Sequence, residues 1–201
     1  GKGEIRAENS VSGESGSTFD LTIDGLGTKR TSISVVGRHM ISNALLAAGT
    51  GFVLGLSLDE ISAGLTNAKL TSGRLRRYFS NGSTVIDDTY NANPESVIAA
   101  LETLASLPGG GRKIAALGMM AELGEHAVEA YPRIGGIARD LGVSLVTVGD
   151  DADKYGADHH FQTHGEAATW LSNETSPGDL VLFKGSRMAA MDQVMKLTFP
   201  E

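Results

Sequence analysis

The sequence predicts an α/β protein. Its C-terminal part reads as a doubly wound, Rossmann-like, mostly parallel sheet, and a partial α/β region precedes it. After about residue 73, short apolar segments alternate with helix-like segments, which is typical of parallel sheets with helices on both faces. Before that point the strands come first and the helices follow. We therefore place a polar connector at residues 69–73 and predict two domains, 1–72 and 73–201.

The first region should contain three strands followed by two helices. Gly- and Ser-rich turns separate the predicted strands, which cover residues 4–8, 18–23 and 31–36. Segment 43–54 carries Ala and Leu on nearly every face, which predicts a buried helix. Ser57 with Glu60 three residues later has the pattern of a capping box, so a second helix should begin there.

The second region alternates strands with helices up to the end of the chain. The predicted segments are, in order, 84–88, 96–107, 113–117, 128–141, 145–148, 180–183 and 189–196. Gly135 and Gly136 fall inside one of these helices, where glycine permits close packing. The glycines at 109–111 precede a strand and should form a loop.

Composition excludes several classes of protein. With 201 residues and 41% hydrophobic content, the chain can build a core. Its net charge of −7 argues against a nucleic-acid partner, and the absence of cysteine excludes disulfides and thiolate metal sites. No apolar run approaches the length of a membrane span, and the N-terminal residues lack the apolar core of a signal peptide. We expect a cytoplasmic protein with no membrane partner.

No complete nucleotide or metal site is evident. The sequence lacks a G-x-x-x-x-G-K-[ST] phosphate loop. His159 and His160 stand beside Asp158, but three adjacent residues cannot surround one ion, so we interpret them as solvated loop residues. We predict no metal site on this chain.

The most informative segment runs from Val85 to Pro94 and places two carboxylates, two amides and a phenol after a buried strand. Ligands of open α/β sheets bind at the carboxyl ends of the strands, so Asp87, Asp88 and Tyr90 are candidate site residues. Asp and Asn also cap helices and form turns, so a purely structural role stays open for any one of them.

Two further turns should emerge at the same edge of the sheet. One follows the strand 113–117 and contains Glu122, and the other follows the strand 180–183. In the latter, Lys184 and Arg187, with the amides of Gly185 and Ser186, predict an anion-binding turn at a helix start. Solvated cations beside a helix cap are the simpler alternative for this turn.

Five motifs, in this order, resemble those of the Mur ligase family: Gly37 to Leu45, Ser72 to Leu75, Asp87 to Pro94, Met120 to Gly124 and Lys184 to Arg187. The resemblance covers essentially the whole chain. The tyrosine-containing turn and the Lys-Gly-Ser-Arg turn are similar to those of the branch that adds D-alanyl-D-alanine to UDP-N-acetylmuramoyl-tripeptide in peptidoglycan synthesis. This implies the end of a central ATPase domain, in 1–72, followed by the C-terminal domain.

The resemblance also implies a chemistry and roles for individual residues. ATP, with Mg²⁺, would phosphorylate the tripeptide carboxylate, and the amine of D-alanyl-D-alanine would attack the acyl phosphate. By motif, Asn43 would bind the adenine, Asp88 the ribose and Arg74 the phosphates, with Arg74 and Asp88 acting as catalytic residues. His39 is a further residue that would bind the nucleotide. The implied substrate-binding residues are Tyr90, Asn91, Asn93, Glu122, Lys184, Ser186 and Arg187. The phosphate loop, the magnesium ligands and the UDP-sugar domain would lie outside this chain, which alone should be inactive.

Three departures and two alternatives accompany this interpretation. Met40, Met119 and Met188 stand where the family usually has polar or small residues, which puts an orienting carboxylate at position 119 in doubt. One alternative is a non-catalytic Rossmann-type module that binds a nucleotide or a peptide. The other is a different ATP-dependent amide ligase, such as a folylpolyglutamate or cyanophycin synthetase, which segment 90–94 fits poorly. We also expect the truncated first region to expose apolar surface and therefore to be less stable, to self-associate or to repack.

Overall fold

The computed structural model describes residues 4–13, 16–68 and 73–200. The chain divides into two compact units, Gly1–Leu70 and Thr71–Glu201. Most of the predicted connector, residues 69–72, lies outside the described residues. No helix in the described part of the chain has the length and apolar character that crossing a membrane requires.

The first unit is an antiparallel sheet of strands in the order β1-β2-β3, covered by two helices. Its described elements are β1 (Ile5–Gly13), β2 (Gly16–Ile23), β3 (Gly27–Ile33), α1 (Arg38–Val53) and α2 (Leu58–Thr66). Phe19, Leu21 and Ile23 alternate along β2 and are fully buried, so one face of the sheet forms the core. The predicted capping box at the start of α2 is confirmed, since Ser57 accepts from the Glu60 amide and Glu60 from the Ser57 amide.

Two elements of this unit, the third strand and the first helix, differ from the prediction. The third strand covers 27–33 instead of 31–36, and α1 begins at Arg38 instead of residue 43. The prediction that this helix is buried was wrong, because only one stripe of α1, which includes Ile41 and Ala48, is buried. Leu46 and Val53 are 72% and 84% exposed on the rest of its surface. One sheet can cover only one side of a helix.

The second unit contains the predicted doubly wound sheet. Its order is β4-β5-β9-β6-β7-β8, in which β4 pairs antiparallel and the other neighbours pair parallel. The strands are β4 (Arg76–Ser80), β5 (Ser83–Asp88), β6 (Lys113–Gly118), β7 (Ser144–Val148), β8 (His159–Phe161) and β9 (Leu180–Lys184). The helices are α3 (Pro94–Ser106), α4 (Ala127–Asp140), α5 (His164–Glu174) and α6 (Met191–Thr198).

Helices cover both faces of this sheet. Helix α3 contacts α4, and α5 contacts α6. The side chains of Val181 and Phe183 on β9 join the core formed with α5 and α6, so by alternation Leu180 and Leu182 face the α3 and α4 side. All four side chains are buried, which explains why the sequence of β9 is continuously apolar over these residues instead of alternating with polar residues.

Three elements of this unit were not predicted. Strand β4 carries two arginines at an edge, β8 has only three residues, and α5 contains polar residues throughout. The interpretation of His159 and His160 as loop residues was wrong, since both lie on β8. The His159 ring lies against the Trp170 ring of α5, with ring centroids 4.3 Å apart, and His160 Nδ1 hydrogen-bonds Thr147 Oγ1.

The two glycines of α4 give a matched test of packing. A Cβ on Gly135 would lie 1.8 Å from the carbonyl oxygen of Tyr155, whereas a Cβ on Gly136 would meet no atom within 4 Å. We expect Gly135→Ala to destabilise the protein by about 1–3 kcal/mol, because a packed core resists added volume. Gly136→Ala, the control in the same helix, should be neutral or stabilising by up to about 1 kcal/mol. Urea denaturation measures both, and equal effects would contradict this packing.

Asp179 makes the stability of the second unit depend on pH. Its side chain is 4% exposed, accepts from the Arg112 and Ser176 amides at 2.8 and 3.0 Å, and pairs with the Arg112 guanidinium at 2.8 Å. Burial alone would raise the pKa of Asp179, but the hydrogen bonds from Ser176 and Arg112 and the charge of Arg112 hold that pKa below its usual value. The carboxylate therefore stabilises the fold fully above the unfolded pKa of about 3.9, and the stabilisation is lost as pH falls through the lower folded-state pKa.

Replacing this carboxylate should remove the effect. We expect Asp179→Asn to lower the free energy of unfolding at pH 7 by about 1–3 kcal/mol, since buried donors lose a charged acceptor. The loss should shrink toward pH 3. Glu102→Gln, on the exposed face of α3, is the control and should change stability little at either pH. Urea denaturation at pH 7 and pH 3 checks the prediction, and a variant as stable as the parent at pH 7 would contradict it.

Candidate functional site

Three strand-end turns meet at one edge of the second-unit sheet, as the sequence predicted. Strands β5, β9 and β6 are adjacent and parallel, so their carboxyl ends emerge together. The turns border a cavity of about 460 Å³, within the usual size range of small-molecule sites. Its lining residues are Tyr90, Asn91, Ala92, Asn93, Ala121, Glu122, Leu123, Ser186, Arg187 and Met188.

A buried ion pair joins the turns after β5 and β9. The ammonium group of Lys184, whose side chain is 3% exposed, donates to Asp88 Oδ2 at 2.6 Å and to the Asn91 carbonyl at 2.8 Å. From the sequence, this ammonium group was expected on an open anion-binding turn. In the structure it is buried and paired, because it satisfies the turn that follows the neighbouring strand.

The two aspartates hold the chain that precedes β4. Asp87 Oδ2 accepts from the Gly73 amide at 3.1 Å, and Asp88 Oδ1 accepts from the Leu75 amide at 3.2 Å. Asp87 Oδ1 also accepts from the amide and hydroxyl of Thr89, so this 3%-exposed carboxylate is fully engaged within the protein. Asp87 is therefore a structural residue, one of the two roles that the sequence left open.

Glycine is required at position 73. Its φ is +80°, and a Cβ there would lie 2.8 Å from the Tyr90 amide nitrogen. That amide donates to the Gly73 carbonyl at 3.0 Å. The Gly73 backbone is thus bonded to Asp87 on one side and to Tyr90 on the other, which fixes the position of the next residue, Arg74.

Arg74 and Tyr90 form a stacked pair on the surface of this edge. The guanidinium carbon of Arg74 lies 4.3 Å from the centroid of the Tyr90 ring, which is cation–π geometry. Both side chains are exposed, Tyr90 by 46%. A solvent-facing guanidinium held in one orientation can contact an anion.

Two predicted substrate residues also cap helices. Asn93 Oδ1 accepts from the Ser96 amide at 2.8 Å and begins α3, with Ser96 reciprocating in a capping box. Ser186 Oγ accepts from the Ala189 amide at 3.3 Å, and the residue is 1% exposed. Both therefore keep the turns in place, which is the capping role that Asn and Ser residues often have.

Glu122 and Arg187 carry exposed charges that line the cavity from opposite turns. Glu122 has a φ of +64°, an uncommon conformation for a residue with a Cβ, and such strain is concentrated at functional sites. The Ser186 amide donates to the Met119 carbonyl at 2.9 Å, so the turns after β6 and β9 are bonded directly. The carbonyl group of residue 119 therefore makes this hydrogen bond, which does not depend on the identity of the side chain.

Tyr131 also supports the site, although nothing in the sequence predicts this role. Its hydroxyl accepts from the Met120 amide at 2.8 Å and donates to the Met120 carbonyl at 3.1 Å, which anchors the turn after β6. Burial raises the pKa of Tyr131, so the hydroxyl stays protonated and can donate at neutral pH. From the sequence, a tyrosine within an amphipathic helix predicts only a core residue. No local sequence motif predicts its hydrogen bonds to Met120.

A second cavity, of about 670 Å³, was also not predicted. It lies between β4 and α6 and shares Tyr90 and Arg187 with the first cavity. Its remaining lining residues are Gly73, Arg76, Tyr78, Asp87, Thr89, Asp192, Met195, Lys196 and Phe199. This cavity could not be predicted from the sequence, because β4, which forms one of its walls, was not predicted.

Two of the predicted nucleotide-binding residues lie in the first unit. His39 and Asn43 are both on α1, where His39 is partly buried and Asn43 is exposed. Asn43 Nδ2 contacts the sulfur of Met40 at 3.8 Å. In neither unit do three His, Asp or Glu side chains of the described residues group together as metal ligands would.

Comparison with known proteins agrees with the fold and the motifs. Residues 73–187 match the family described as Mur ligase, glutamate ligase domain. The chain is 36% identical over 168 residues to the UDP-N-acetylmuramoyl-tripeptide--D-alanyl-D-alanine ligase of Escherichia coli K12, covering 80% of this chain and 37% of that protein. The ligase of the same name from Mycobacterium tuberculosis H37Rv is 35% identical over 193 residues, with 81% and 38% covered.

Solved structures resemble the chain over its whole length. The crystal structure of MurF from Acinetobacter baumannii has a TM-score of 0.90 and 31% identity, and the match covers 100% of this chain and 46% of that one. At 19% identity, the folylpolyglutamate synthase of Thermotoga maritima shares the fold, with a TM-score of 0.62 and coverage of 98% and 47%. The chain spans less than half the length of each of these relatives. Because the family match covers more than half of its residues, the chain belongs to the Mur ligase family.

Proposed function

We propose that this chain is the C-terminal part of an ATP-dependent ligase that adds D-alanyl-D-alanine to UDP-N-acetylmuramoyl-tripeptide during peptidoglycan synthesis in the cytoplasm. The observation that carries the proposal is the cavity of about 460 Å³ at the meeting point of three turns. Those turns hold the motifs that resemble this branch of the family. The relatives at 35–36% identity carry the name of that ligase.

The cavity matches the chemistry of a dipeptide with an amine at one end and a carboxylate at the other. Arg187 offers a guanidinium suited to the carboxylate, and Glu122 offers a carboxylate suited to the ammonium group. Ala92, Leu123 and Met188 supply apolar surface for two methyl groups. Tyr90 and Asn91 complete the wall, while Asn93, Ser186 and Lys184 contribute by holding the turns in place.

The nucleotide-facing roles also fit the residues present. Asp88 accepts from the Leu75 amide and the Lys184 ammonium group, and its side chain is 14% exposed, so part of the carboxylate faces solvent. It can accept a ribose hydroxyl. Arg74 carries an exposed guanidinium for a phosphate, Asn43 is assigned to the adenine, and His39 is assigned to the nucleotide. Bound ATP would supply the phosphoryl group that activates the tripeptide carboxylate, with Mg²⁺ held by ligands outside this chain.

The proposal assigns each unit a part of the longer ligase. Residues 1–72 would be the end of the central ATPase domain, and residues 73–201 the C-terminal domain. The second unit would close over the reacting groups, exclude water and hold the incoming amine in line with the activated carboxylate. The phosphate loop would lie upstream, so this chain would hold half of the site.

A binding experiment tests the dipeptide site. We expect the chain to bind D-alanyl-D-alanine in isothermal titration calorimetry, and Arg187→Met to weaken that binding about tenfold or more, since a hydrogen bond to a charged group contributes about 1.5–3 kcal/mol. Arg133→Met, on the exposed side of α4, is the matched control and should bind as the parent does. The C-terminal amide of the dipeptide should bind weakly to every variant. Equal affinities for acid and amide would contradict the role of Arg187.

An assay of ligase activity distinguishes a chain that holds part of the active site from one that holds all of it. Given ATP, Mg²⁺, UDP-N-acetylmuramoyl-tripeptide and D-alanyl-D-alanine, the chain alone should release no phosphate and form no pentapeptide product. Turnover by the chain alone would disprove that it is an incomplete site. Tight binding of an unrelated ligand, with none of the dipeptide, would instead favour a non-catalytic binding module.

We also propose that the chain self-associates through the first unit. Leu46, Val53 and Leu54 are 72%, 84% and 74% exposed around the C-terminal half of α1, which is unusual for large apolar side chains on one helix. Light scattering should therefore show a mass that rises with concentration. Val53→Lys should lower that mass, whereas Val128→Lys, at an equally exposed position on α4, should not. A monomer at every concentration would contradict the proposal.

A further inference from the structure

We propose that Tyr90 is a positioning residue that orients the guanidinium group of Arg74. This inference rests on the proposed function, in which Arg74 contacts the ATP phosphates. It gives Tyr90 a role in addition to lining the dipeptide cavity. The evidence is the way in which the two turns that carry these residues are bonded to each other.

The backbone sets the distance between the two side chains. Gly73 donates its amide hydrogen to Asp87, and its carbonyl accepts from the Tyr90 amide at 3.0 Å. On the other side of Arg74, the Leu75 amide donates to Asp88. Arg74 thus lies between two anchored neighbours. Its Cα cannot move away from Tyr90 unless one of these hydrogen bonds breaks.

The side chain of Arg74 is held by the aromatic ring of Tyr90. The guanidinium carbon lies 4.3 Å from the ring centroid. Among the described residues, this stacking is the interaction seen for the Arg74 side chain. Arginine has many rotamers, and an exposed guanidinium without a partner would sample them freely. The ring limits that freedom and presents the charge at the edge where Asp88 also emerges.

Tyr90 also lies where the two cavities meet. It lines the cavity assigned to the dipeptide and the cavity between β4 and α6, and Arg187 is the other residue common to both. A ligand that packs against the Tyr90 ring on one side would therefore find Arg74 already placed on the same ring. The geometry links the residue assigned to the phosphates with the wall of the amine-substrate cavity.

The chain contains a matched control for this interaction. Arg76 lies over the ring of Tyr78 with its guanidinium carbon 5.6 Å from the centroid, and both residues are on β4. That pair borders only the cavity between β4 and α6 among the two described. It allows the effect of losing a ring to be compared at two arginines of the same unit.

The direct test is NMR spectroscopy of arginine side chains in this chain, with Arg74 assigned from the Arg74→Lys variant. The ring current of Tyr90 should move the Arg74 side-chain protons upfield. Tyr90→Leu should abolish the shift, while Tyr90→Phe, which keeps the ring, should preserve it. Tyr78→Leu should change Arg76 and leave Arg74 unaltered. Arg74 signals that are the same in the parent and in Tyr90→Leu would overturn the proposal.

Kinetics of the complete ligase that carries this chain provide the second test. Tyr90→Leu should raise the KM for ATP about two- to fivefold, the effect expected for an exposed cation–π contact, while Tyr90→Phe should leave it unchanged. In an Arg74→Gln background, Tyr90→Leu should no longer change the KM for ATP. An unchanged KM for ATP in Tyr90→Leu would overturn the positioning role. Absence of turnover by the parent ligase would count against the proposed function instead, and the NMR result would still decide the role of Tyr90.

Discussion

The candidate site depends on one buried interaction, the ion pair between Lys184 and Asp88. A buried ammonium group is costly unless it is paired and hydrogen-bonded, and Lys184 meets this requirement through Asp88 Oδ2 and the Asn91 carbonyl. Because β5 and β9 are adjacent strands, the pair fixes their two turns relative to each other. The third turn joins them through the hydrogen bond between the Ser186 amide and the Met119 carbonyl. The cavity exists because these three turns cannot separate without exposing unpaired polar groups.

The neighbouring aspartates show how two similar residues acquire different roles. Asp87 is 3% exposed and its oxygens accept from Gly73 and Thr89, so its carboxylate serves mainly to hold the neighbouring backbone. Asp88 shares its carboxylate between Leu75 and Lys184 but keeps 14% of its side chain exposed. Alternation along β5 explains the difference, because successive side chains point to opposite faces of the sheet. Of the two carboxylates, Asp88 alone combines a fixed position with access to solvent.

The sequence predicted those parts of the fold that leave a local signature. Buried apolar runs such as β9 and the capping box of Ser57 and Glu60 depend on residues within a few positions of each other. The convergence of the three turns followed from the parallel sheet. By contrast, Lys184 and Asp88 are 96 residues apart in the sequence and Gly73 and Asp87 are 14 apart, so no local pattern reveals those bonds. Strand β4 escaped detection because Arg76 and Arg77 occupy an antiparallel edge, where charged residues are tolerated and apolar periodicity is weak.

The polar residues of the site divide by burial into two groups with separate tasks. Asp87, Lys184 and Ser186 are each at most 3% exposed, and their side chains hydrogen-bond to the backbone or to other side chains of the turns. Arg74, Glu122 and Arg187 are exposed, and no hydrogen bond or ion pair of their side chains is seen among the described residues beyond the stacking of Arg74 on Tyr90. The buried group determines where the turns lie, and the exposed group determines what they can bind. Substitutions in the first group should therefore act through stability, and those in the second through affinity, because only the second group gains its partner when a ligand arrives.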